Sequence, residues 1–94
     1  MNVLTMDASV VATSGVVSCD LAGDTALLHL HSGMYFTLNT VATAVWEAIQ
    51  QPARVGELHG LILERYEIDA QSSADDLQRL LRELLAYDLI IVHQ

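Results

Sequence analysis

The stretch GDTALLHLHSGMYFTLN, residues 23–39, decides the fold. It reads as two short strands joined at Ser32-Gly33 and running into a helix start at Asn39. A glycine-containing pair between runs of Leu, Tyr, Phe and Thr is a strong short-range hairpin signal. Pairing Leu30 with Tyr35 puts Ala26, Leu28, Leu30, Tyr35 and Thr37 on one face. Leu27, His29, His31, Met34, Phe36 and Leu38 then line the other. Both faces carry large apolar groups, yet a small sheet covered by helices on one side needs only one such face. The surplus on the second face points to a docking partner.

Upstream, Val10–Thr13 and Val16–Cys19 are β-prone runs broken at Ser14-Gly15. The second is favoured as a strand, because Ala22-Gly23-Asp24 then turns tightly into Thr25–Leu30. The sheet is expected to be three-stranded and antiparallel, with residues 1–8 weakly ordered as an unanchored terminus. Downstream, Asn39 or Thr40 caps a helix whose apolar positions are Val41, Ala44, Val45, Ala48 and Ile49, with Trp46 partly buried beside them. Pro52 follows its end. A second helix is expected over 55–66, with Val55, Leu58, Ile62 and Tyr66 on one face, weakened by Gly56 and Gly60 unless close packing needs them. Residues 67–71 connect it to a third helix, capped by Ser72 or Ser73, with Asp75 and Asp76 in its first turn. Its broad apolar face is Leu77, Leu80, Leu81, Leu84 and Leu85. Leu89–Val92 forms an apolar tail folding back on the body. The expected fold class is therefore α+β: a three-stranded antiparallel sheet followed by three helices, in one domain over 1–94.

Composition excludes whole classes of function. The chain has 94 residues and a net charge of −8, with 12 acidic residues against four arginines and no lysine. Affinity for nucleic acid rests on Lys and Arg neutralising phosphates, so neither nucleic acid nor an anionic membrane is the expected partner. The single Cys19 rules out an internal disulfide and suits a reducing compartment. No run approaches the ~20 apolar residues that span a bilayer, and the N-terminus lacks the charged start of a signal peptide. These features point to a soluble, cytoplasmic protein.

Catalytic chemistry is not encoded in any recognisable spacing. His29-x-His31 would point two imidazoles the same way from a strand, short of the three or four ligands zinc requires, so no metal and no other cofactor is expected. Cys19 has no base placed to activate it and reads as a small buried strand residue. Asp75 with Asp76, and Glu64 with Glu67, sit naturally on solvated helix faces. The strand-then-helix order also fits a winged-helix regulator reading DNA with the third helix. There Arg79 and Arg82 are cancelled by Asp75, Asp76 and Glu83.

Taken together and in order, LLHLHSGMYFTLN, VATAVWEAI, RVGELHGLILERYEID and DDLQRLLRELLAYDLI resemble the PqqD-like family. The matching positions are Leu27, Leu28, Gly33, Tyr35, Leu38, Asn39, Trp46, Glu57, Leu58, Tyr66, Asp76, Leu80, Leu81, Leu84 and Leu85, spread over about residues 16–92. The resemblance implies a winged-helix-like recognition element without catalytic activity. Such an element captures the leader of a ribosomal precursor peptide as an added strand and presents it to a separate maturation enzyme. His31-Ser32-Gly33 stands where PqqD itself, which serves a radical-SAM enzyme, usually has Tyr-Pro-Glu-Gly. This departure favours the leader-binding partner of a split lasso-peptide leader protease over a PqqD-type chaperone.

Three features of the residues agree with that implication. The Met34–Leu38 strand would be a sheet edge open to strand addition. The surplus apolar face would give pockets for leader side chains. The acidic flank Asp75, Asp76 and Glu83 would attract basic leader residues. The expected peptide-binding residues are Met34, Tyr35, Phe36, Thr37, Leu38, Asp76, Leu77, Leu80, Glu83, Leu84 and Tyr87. An adaptor or self-associating domain using the same groove is the rival class.

Overall fold

The structure is a computed structural model that describes residues 4–93. The expected sheet is formed by β2 (Val16–Leu21), β3 (Asp24–His29) and β4 (Tyr35–Leu38), antiparallel in the order β2-β3-β4. Ala22 and Gly23 join β2 to β3 with φ of 56° and 105°. Two left-handed residues in a two-residue loop match the type I′ turn, whose twist suits a hairpin.

The β3–β4 register differs from expectation by two residues. Leu28 pairs with Tyr35 and Leu27 with Phe36. The turn is wider than Ser32-Gly33 alone. The Gly33 N–H donates to the His29 carbonyl (2.8 Å), the His29 N–H donates to Met34 (3.0 Å), and Gly33 sits at φ +74°. An even shift keeps every side chain on its face, so the face assignment survives for the paired residues. His31 falls out of the strand into the turn. The inner face buries Thr25, Leu27, His29 and Leu38, while Tyr35 on the outer face is 73% exposed. Cys19 is also exposed, on an edge strand whose residues are exposed from Val17 onward. The expectation of a buried thiol is overturned.

A second sheet was not anticipated. The first β-prone run is also a strand, β1 (Ser9–Ala12). It lies between β5 (Ala53–Arg54) and β6 (Ile90–His93). The tail thus folds back as a strand, with Val10 opposite Val92 and Val11 opposite Ile91. Residues 4–8, expected to be loose, are tied down. Leu4 and Ala8 are buried, and the Ala8 carbonyl accepts from Val55 N–H at 2.9 Å. Residues 1–3 lie outside the described residues.

Asn39 caps α1 (Thr40–Ala48), its Oδ1 accepting from the Ala42 N–H at 2.9 Å. In α2 (Val55–Arg65), Glu57 Oε1 reaches back to the Arg54 N–H at 2.9 Å. A Cβ on Gly56 would lie 3.3 Å from the Met6 carbonyl, a tight approach that favours glycine there, whereas Gly60 faces open space.

The third helix, α3 (Ala70–Ala86), starts earlier than expected. Asp69 is its cap, with Oδ2 accepting from the Ser72 N–H at 3.0 Å. Ser72 and Ser73 are therefore inside the helix, and Asp75 and Asp76 lie in its second turn. An aspartate caps at least as well as serine, and here it comes first. Asp88, at φ +60°, ends the helix. Leu89 N–H donates to Leu84 at 2.8 Å and Asp88 N–H donates to Leu85 at 3.0 Å, the Schellman pattern. One hydrophobic cluster joins both sheets and all three helices, including Val10, Leu27, Leu38, Val45, Leu58, Leu81 and Ile90. At roughly 1.5–3 kcal/mol for each large side chain fully buried, this cluster holds the sheets and helices in place.

Candidate functional site: an open strand edge beside an apolar groove

β4 is the last strand of its sheet, and α3 runs alongside it. The His29–Met34 bond sets the phase of the ladder. In an antiparallel pair bonded and non-bonded pairs alternate. Leu27–Phe36 and Thr25–Leu38 are then bonded pairs, and Leu28–Tyr35 and Ala26–Thr37 are not. Phe36 and Leu38 direct their backbone groups at β3. Tyr35 and Thr37 direct theirs at the open edge. Of the strand's residues, Tyr35 and Thr37 thus turn backbone groups to the open edge, while Phe36 and Leu38 turn side chains to the inner face.

Between β4, α1 and α3 lies a cavity of about 370 Å³. Phe36, Thr37 and Leu38 form its strand wall, and Asp76, Leu77, Leu80 and Glu83 form much of its α3 wall; all seven are among the residues that the sequence marks as candidates for peptide binding. Met34 and Tyr35 do not line it; both are exposed, Met34 at the turn and Tyr35 on the outer face. Leu84 is buried in the core and does not line it either. Tyr87 does not line it either, though its ring packs against Phe36, which does. The pockets thus come from the inner face and the helices. The surplus apolar outer face, where Val17, Leu28 and Tyr35 pair in one row, does not contribute to this cavity.

The groove runs past the end of β4. There Val41, Ala42 and Val45 of α1 face Ser73 and Leu77 of α3, with Ile62 and Ile68 also lining the space. The α1 residues carry the helical periodicity expected of core. What that periodicity does not disclose is where two apolar stripes stand too far apart to close.

The rim is charged but partly self-neutralised. Arg79 Nη1 lies 3.2 Å from Asp76 Oδ1, with both side chains well exposed. Such a pair contributes about 0–1 kcal/mol and leaves both groups free to exchange partners. Glu83 lines the same wall with no ion pair among the described residues. Asp75, expected to share this role, does not line the groove and accepts from Gln71 Nε2 at 3.4 Å. His29 is buried under the hairpin, its Nδ1 accepting from Ser32 N–H at 3.4 Å and its Nε2 3.7 Å from Asp88. Among the described residues no group of three or more His, Cys, Asp or Glu is placed to hold a metal. No helix among them is long and apolar enough to cross a membrane.

The family model described as coenzyme PQQ synthesis protein D (PqqD) matches residues 24–90, which span the hairpin, all three helices and the start of β6. The chain belongs to the PqqD family. No curated protein matches it. Among solved structures, PqqD-family architecture recurs in TbiB1 in complex with the TbiA(beta) leader peptide. That chain is 30% identical, with a TM-score of 0.77 over 85% of this chain and 93% of that one. A lasso peptide synthetase B1 complexed with its leader peptide shares the fold at 16% identity. Its TM-score is 0.75, over 87% of this chain and 96% of that one.

Proposed function

We propose that this PqqD-family chain binds the leader segment of a ribosomally made precursor peptide and presents it to a separate maturation enzyme, in lasso-peptide biosynthesis. The observation that carries the reading is the open β4 edge, with Tyr35 and Thr37 offering backbone groups directly beside the α3 groove. An extended peptide added there would satisfy those groups and send alternate side chains into the groove. β2 is also an edge, but among the described residues only β4 borders this cavity. The 30% identical TbiB1, solved with a leader peptide, supports the same class of ligand.

The groove suits holding a peptide rather than cutting one. Its walls are mostly aliphatic and aromatic, with Thr37, Asn39 and Ser73 among them and two carboxylates and one guanidinium at the rim. We therefore assign the chemistry to another protein, a leader protease, and place the function in the cytoplasm where precursors are made.

The test is a fluorescence-anisotropy titration with the labelled leader of the precursor encoded beside this gene, with the TbiA(beta) leader as a comparison. Saturable binding at micromolar affinity or tighter, roughly 8 kcal/mol, is expected. A folded protein that binds neither peptide overturns the reading.

A further inference from the structure

His29 ends β3 and organises the turn that follows it. Its carbonyl accepts from the Gly33 N–H at 2.8 Å, its own N–H donates to Met34 at 3.0 Å, and its ring Nδ1 accepts from the Ser32 N–H at 3.4 Å. With Nδ1 used as an acceptor, the proton of the neutral ring sits on Nε2. That nitrogen is buried without a hydrogen-bond partner, on a residue only 6% exposed. Buried polar groups are ordinarily paired, so this one calls for a cause. Facing it, 3.7 Å away, is the carboxylate of Asp88. Asp88 holds φ +60° just past the end of α3, where glycine is the usual choice, and its backbone bond to Leu85 needs no side chain. The aspartate carries a backbone penalty that glycine would avoid, while its side chain stands over the buried imidazole.

We propose that His29 and Asp88 form a latch that fastens the β3–β4 hairpin to the C-terminal end of α3 and so positions the leader edge. The proposal rests on the leader-binding reading and names what keeps its two walls in register. A closing movement of about half an ångström brings Nε2–H onto the carboxylate. Neither residue lines the groove, so both are positioning residues. Beside them, Tyr87 packs on Phe36 of β4, and the two contacts together tie strand to helix at one junction. With the spacing of β4 and α3 set beforehand, a leader strand loses less order on binding.

The test compares Asp88→Gly, which keeps the left-handed backbone and removes the carboxylate, with Asp88→Asn, which keeps an oxygen acceptor and removes the charge. Each full chain is melted, titrated with the labelled leader, and ¹⁵N-labelled to follow the His29 Nε2–H resonance without peptide. Asp88→Gly is expected to melt within a few degrees of the wild type, because glycine suits that backbone. Its Nε2–H resonance moves upfield and its leader affinity falls about 3- to 10-fold, the equivalent of one hydrogen bond. Asp88→Asn restores both, which separates the hydrogen bond from the loss of a negative charge. An Nε2–H resonance that is absent or unmoved in Asp88→Gly overturns the latch. Unchanged affinity in Asp88→Gly, no rescue by Asp88→Asn, or a steep fall in Tm each overturns the positioning role. A wild type that shows the resonance shift against Asp88→Gly but binds no leader overturns the leader reading, and the positioning role with it, while the contact itself stands.

Discussion

Phe36 and Tyr87 meet edge to face, their ring centroids 5.3 Å apart and their planes at 62°. The contact joins the middle of β4, at a residue that lines the groove, to the residue that caps the C-terminal end of α3. Such pairs add about 0.5–1.5 kcal/mol beyond the area they bury. Tyr87→Ala should therefore cost about 1–2 kcal/mol in denaturant unfolding and weaken leader binding, while Tyr87→Phe keeps both. A Tyr87→Ala protein with unchanged affinity would show that this contact does not support the site.

The ladder phase separates two neighbouring prolines. Thr37→Pro removes an N–H that faces the open edge, and edge strands tolerate proline in that orientation. Its melting temperature should change little while leader affinity falls by about tenfold or more, the equivalent of one backbone bond in a desolvated site. Phe36→Pro removes the N–H paired with β3 and should destabilise the domain outright. Circular dichroism melts alongside the peptide titration distinguish the two.

Asp76→Arg should weaken a basic leader by about three- to tenfold at low salt without altering the melt, because the residue is exposed and its present partner contributes little. Raising the ionic strength should narrow the difference. Unchanged affinity at low salt would remove Asp76 from the site.

Gly60 is in the interior of α2, with helical backbone and open space where a Cβ would go. Gly60→Ala should raise stability by about 0.5–1 kcal/mol, a few degrees in Tm. Gly56→Ala should not, given the Met6 carbonyl at 3.3 Å.

How much of this was legible from residues alone depended on the range of the interaction. The β3–β4 hairpin was readable because period-two alternation and a local glycine turn sit within one short segment. Its true register was not, since Gly33 at positive φ widened the loop by two residues. The second sheet escaped altogether. β5 is too short to show a period, and β6 pairs with β1 from the opposite end of the sequence. The start of α3 was misplaced by one turn because aspartate and serine cap equally well, and only coordinates show which comes first. That error matters for the site. With Ser73 taken as a cap, nothing suggested it as a groove residue.

Gln78 lies on the side of α3 opposite the groove. Its amide forms a two-bond clasp with the backbone of Leu4, accepting from the N–H at 3.2 Å and donating to the carbonyl at 2.6 Å. The helix that forms one wall of the groove is thus fastened from behind, with Leu4 buried against the body. On the proposed reading, a peptide entering the front would meet a wall already held in place. Less ordering entropy is then lost on association, and more of each contact appears as affinity.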